Sequence, residues 1–112
     1  MNEEQIARSR ETIAEIQAHL GKHSYAVRND GALVELRFLL GYLKVHDRYI
    51  AEKAGQIEDL AVEFWSARKH HRYPGGPSEI LARIDDLLGR IENQLQQREQ
   101  RIRDGATRSH PA

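Results

Sequence analysis

A chain of 112 residues is enough for one domain with a single modest core. Its 17 Lys and Arg are matched by 17 Asp and Glu, so no global field draws it to nucleic acid or to an anionic membrane. The absence of cysteine removes disulfides, thiolate metal sites and cysteine nucleophiles, and an apolar share of 39% beside 30% charged residues fits a soluble helical domain rather than a disordered chain.

The first residues, MNEEQIARSR, are acidic and hold no apolar run, so no secretory signal is expected and a cytoplasmic location is. Asn2 with Glu3, Glu4 and Gln5 reads as a capping box with acids in the first turn. Ile6, Ile13, Ile16 and Leu20 then recur at helical spacing, and Gly21 offers a stop, which predicts a first helix near 3–20. Asp30 is the expected cap of a second helix, running without a proline to about Arg68. The apolar-rich run at 32–45 is broken by Glu35, Arg37 and Lys44 and is too short to span a bilayer, so no membrane partner is expected. Gly76 and Pro77 open a third helix that reaches about Arg103. A single helical domain over 1–104 with a flexible C-terminal tail at 105–112 follows.

The long second helix carries Leu36, Leu43, Ile50, Ile57 and Phe64 at seven-residue steps, beside Leu33, Leu40, Asp47, Ala54 and Ala61. The third answers with Leu81, Leu88, Leu95 and Ile102, flanked by Ile84, Ile91 and Arg98. Folded back on each other as a hairpin, these two helices pair positions that add to about 145. Arg98 then falls level with Asp47, and the two form a structural polar pair that sets the register. A second stripe, Val34, Phe38, Gly41 and Val45, covers only the first half of the long helix, and the short first helix is expected to cover it. The fold class expected is therefore all-α: an antiparallel three-helix bundle with a long central helix and a protruding, coiled-coil-like hairpin of helices two and three. Leu33, Leu39 and Tyr42 are left over on the crowded half, and with so small a core they favour self-association.

Chemistry is sparse. In residues 68–73, Arg68, Lys69, His70, His71, Arg72 and Tyr73 stand before a Pro-Gly-Gly-Pro break. Their first reading is a helix terminus, where cations offset the partial negative charge of the carbonyls. Their second is an anion or nucleic-acid contact, with the cations on phosphate and Tyr73 or Trp65 stacked on a base. His19 and His23 have the i, i+4 spacing of a metal pair, but Gly21 lies between them at an expected helix end. His70 and His71 are adjacent and point about 100° apart on a helix. No metal site is assigned. Ser9, Ser24, Ser66, Ser78 and Ser109 lie in no nucleophile motif, and no loop with phosphate-cradling glycines is present. His46 and Asp47 with Tyr42 and Tyr49 are the one polar group on apolar helix faces. They read as a register device before an acid–base pair.

No catalytic residue and no cofactor is assigned. The sequence points to a non-enzymatic helical interaction or assembly module, a homo-oligomer with protein partners. The alternative is an accessory subunit of a nucleic-acid complex, using residues 68–73 and the Arg-rich end of the last helix at Arg98, Arg101 and Arg103.

Overall fold

In a computed structural model of the chain, which describes residues 1–66 and 73–108, all four long elements are α-helices. They are α1 (Glu3–Lys22), α2 (Asp30–Leu43), α3 (Arg48–Phe64) and α4 (Pro77–Arg108). The fold is a four-helix bundle and not the three-helix bundle expected. The expected long central helix is two helices, and the longest element, α4, is terminal.

The break lies at residues 44–47. Lys44 closes α2, its N–H bonding the Gly41 carbonyl, and Asp47 takes an extended backbone, φ −148° and ψ 128°. The Asp47 side chain accepts from the Ile50 N–H at 3.0 Å, which caps the start of α3. No proline or glycine marks this turn. An aspartate cap after one charged and two non-helix-favouring residues is sufficient, because reversal lets both seams bury in one core. A straight helix would have left half of its apolar surface in water.

Each connection reverses the chain. His19 meets Ala32 across α1 and α2, and the Asn29 N–H bonds the Trp65 carbonyl at 3.1 Å across α2 and α3. Asp47 meets Arg98 across α3 and α4, and Arg10 reaches Glu92 and Glu99 across α1 and α4. The bundle is thus antiparallel throughout, with each helix packed on its two neighbours in a closed ring and the α3–α4 contact the most extensive. α1 runs back along α4, and its C-terminal end meets Trp65.

The core holds Ile6, Ile13 and Ile16 from α1, and Leu36, Leu40 and Leu43 from α2. It holds Ile50, Ile57 and Phe64 from α3, and Ile80, Ile84, Leu88, Ile91 and Leu95 from α4. Fully burying each such side chain stabilises the fold by roughly 1.5–3 kcal/mol before the entropy of ordering is set against it. Buried hydroxyls are satisfied inside their own helix: Ser9 bonds the Gln5 carbonyl at 2.8 Å and Thr12 the Arg8 carbonyl at 2.9 Å. At the N-terminus Asn2 and Gln5 form the reciprocal capping box. Asn29 and not Asp30 caps α2, accepting from the Ala32 N–H at 3.0 Å. Among the described residues no helix is long and apolar enough to cross a membrane.

Candidate interaction surface

The stripe Val34, Phe38, Gly41 and Val45 is not covered by α1. On α2 the positions Val34, Phe38 and Gly41 fall within about 60° of arc, and this arc faces solvent; Val45 follows in the turn after the helix. Phe38 is 82% exposed, Val34 63% and Val45 68%. The reason is the extra helix. With α3 folded back on α2, the opposite face of α2 (Ala32, Leu36, Leu40 and Leu43) becomes the core face that α1 and α3 share.

On the α1 side the stripe borders a groove lined by Arg8, Thr12, Leu39 and Tyr42, where the Arg8 guanidinium lies 5.2 Å from the centre of the Tyr42 ring. On the α3 side Lys44 and Arg37 both turn to Glu58, at 2.8 Å and 3.8 Å. Glu58 thus offsets part of the positive charge beside the stripe. Gly41 leaves a notch: a methyl group built there meets nothing within 4 Å.

Asp47 is buried, with its side chain only 2% exposed, and Arg98 Nε donates to its Oδ2 at 2.8 Å. Gln94 Nε2 adds a longer bond to the same oxygen at 3.3 Å, a partner that the heptad pattern did not single out. Burial by itself would raise the Asp47 pKa. The bonds from the Ile50 N–H, Gln94 and Arg98, with the charge of Arg98, outweigh burial and hold the carboxyl below its ordinary value. His46 does not join Asp47 as an acid–base pair; its ring sits edge-on to Tyr42, with centroids 5.4 Å apart. Tyr49 lies instead beneath Lys53 at 5.1 Å.

Tyr73 packs partly against the core, with Arg83 over its ring at 5.0 Å. Arg68, Lys69, His70, His71 and Arg72 lie outside the described residues. Of the arginines late in α4, Arg98 is held by Asp47 and Arg103 bonds Glu99 at 3.0 Å.

The fold and this exposed face together define a small, compact helical bundle with an unpartnered apolar helix stripe. No family model, curated protein or solved structure matches the chain.

Proposed function

We propose that the chain is a non-enzymatic, self-associating helical module in which two copies meet through α2. The observation that carries this reading is the self-complementarity of the exposed stripe. Val34 with Val45, and Phe38 with Gly41, both add to 79. In an antiparallel pair centred between Leu39 and Leu40, Val34 of one copy comes level with the turn after α2 of the other, where Val45 is exposed. Phe38 fills the notch at Gly41, and the same contacts recur on the other side of the two-fold axis. Large meets small at each Phe38–Gly41 contact, as an isologous interface requires.

An exposed phenylalanine flanked by valines is costly in water, and burial of the stripe recovers about 25 cal/mol per Å² of apolar area. The notch at Gly41 lets the two helices approach at the short end of the usual 8–10 Å interaxial range. Glu58 offsets one of the two positive charges of Arg37 and Lys44, which reduces the like-charge repulsion where the same flank meets itself. The nucleic-acid alternative has less support at the end of α4, where Arg98 and Arg103 are engaged within the chain.

Cross-linking tests both the association and its direction. The chain has no cysteine, so V34C and V45C each introduce a single thiol. The antiparallel pairing predicts an oxidative cross-link when V34C and V45C proteins are mixed, and none when either is oxidised alone. The unsubstituted chain should sediment as a dimer, and Phe38→Glu should sediment as a monomer of unchanged helicity. A monomer at every accessible concentration rejects the proposal; cross-linking of V34C with itself rejects the antiparallel arrangement.

A further inference from the structure

We propose that His19, His23 and Glu35 form a binding site for one divalent transition-metal ion of the zinc class, which clasps the end of α1 to α2. The site is separate from the α2 stripe, and the proposal does not rest on self-association.

His19 is buried, at 6% exposure. Its Nε2 lies 2.8 Å from the Ala32 carbonyl oxygen. A carbonyl can only accept, so Nε2 carries a proton, and in the neutral ring Nδ1 keeps its lone pair. That nitrogen faces Glu35 Oε2 at 3.6 Å, too far for a hydrogen bond. A metal-bound histidine as a rule donates its other ring N–H in just this way, to a backbone carbonyl or carboxylate, which settles the tautomer and the ring orientation. His19 is already set in that state by the docking of α1 on α2.

His23 completes the pair because α1 does not stop at Gly21. The helix continues to Lys22, and the His23 N–H bonds the His19 carbonyl at 3.1 Å, which preserves the i, i+4 relation. The two ring centroids are 4.7 Å apart. The His23 carbonyl is held in turn by Trp65 Nε1 at 3.0 Å, so the backbone that carries the second imidazole is pinned to α3.

One ligand atom from each of His19, His23 and Glu35 lies within 4.8 Å of the other two. Zinc takes nitrogen and oxygen ligands at about 2.0–2.2 Å, which sets tetrahedral neighbours about 3.3 Å apart. Closing that difference needs only the outer side chains to rotate: Glu35 is 65% exposed, and His23 is half-buried. Two imidazoles and one carboxylate suit zinc, cobalt, nickel or copper, and not calcium or magnesium, which require a cage of oxygens. Three protein ligands leave a fourth position for water. Glu15 and Lys22 line the same pocket, and their opposite charges offset each other at its rim. Because the ligands come from two helices, the complete site exists only in the folded chain, and binding adds to folding stability.

The test uses untagged, full-length protein stripped with a chelator and titrated with zinc chloride, then with cobalt chloride. Trp65 is the one tryptophan of the chain, and its ring lies edge-on to His19 at 5.6 Å, so its fluorescence reports the site directly. The expected result is a saturable, one-to-one change in Trp65 emission, a higher thermal midpoint with zinc, and the visible absorption of four-coordinate cobalt. His23→Ala and Glu35→Gln should each keep the helical signal and weaken binding at least ~10-fold, the lower end of what loss of a supporting hydrogen bond alone costs a metal site. Absence of a saturable response in the unsubstituted chain overturns the proposal. Undiminished affinity in both variants overturns it as well, since the ion would then be held elsewhere.

Discussion

One carboxylate, that of Asp47, performs two tasks at once: Oδ1 accepts the Ile50 N–H at 3.0 Å, and Oδ2 accepts Arg98 Nε at 2.8 Å. The first bond starts α3 and so makes the reversal after α2. The second ties that reversal to α4, far along the chain. Substitutions can separate the two. Asp47→Ala removes cap and ion pair together and should cost about 2–4 kcal/mol, of which the cap accounts for about 0.5–2. Asp47→Asn keeps a capping oxygen and should cost less. In a double-mutant cycle of Asp47→Ala with Arg98→Ala, measured by chemical denaturation, a coupling of roughly 0.5–3 kcal/mol is expected. Strict additivity would show that the ion pair adds nothing to the fold.

Acid should weaken the bundle through the same group. The Asp47 carboxyl has a lower pKa in the folded chain than the ~3.9 of an unfolded aspartate, so the unfolded state takes up the proton first. Its stabilising contribution is complete well above pH 4 and is lost as the pH falls through the folded value. Glu99, lowered by its bond to Arg10, acts with the same sign. Urea midpoints between pH 6 and pH 2 should therefore fall with acid, and the slope should be shallower in Asp47→Asn. An equal slope in that variant would assign the acid sensitivity to other carboxylates.

Gly41 should separate folding from association. In a helix interior glycine is about 0.8–1.0 kcal/mol less favourable than alanine, and the space around it is open. Gly41→Ala is expected to stabilise the monomer by up to about that amount while filling the notch that Phe38 needs. Gly41→Leu should retain the fold and sediment as a monomer. A dimer undisturbed by leucine would place the contact on another face.

The start of α4 depends on two glycines with different duties. Gly76 has φ +68°, and its carbonyl receives the Glu79 and Ile80 N–H groups that open the helix. Gly76→Ala should cost about 1–2 kcal/mol from the left-handed backbone alone. At Gly75 a methyl group would stand 2.9 Å from Glu79 Cβ, so the first turn of α4 would have to shift. Gly75→Ala should also lower the thermal midpoint, whereas alanine at the open Gly89 should raise it. A neutral Gly75→Ala would mean that this turn yields without cost.

Much of the core was legible from the spacing of apolar residues, but Leu81 and Ile102 of the expected seam are only partly buried, the buried Ile80 lies beside that seam, and the stripe of Val34, Phe38 and Val45 is exposed. Leu36, Leu43, Ile50, Ile57 and Phe64 are all buried, as are Ile84, Leu88, Ile91 and Leu95. The level of Asp47 against Arg98 follows from the same spacing. Direction was not legible. The seven-residue step from Leu43 to Ile50 passes straight through the reversal, because a hairpin of two helices presents both seams to one core, and periodicity records burial without recording which way the chain runs. The signal was Asp47 itself, a capping residue at a seam position, which also has a meaning as a buried polar partner; it serves as both. From that one turn came the rest that the sequence left open. Folding α3 back brought α1 onto the Leu36–Leu40 face, left Phe38 in solvent, and carried Glu35 from a separate helix to the rings of His19 and His23. Local patterning determines which side chains leave water. Which helix covers which face is decided by competition among apolar surfaces for one core, and that competition takes place only in the assembled bundle.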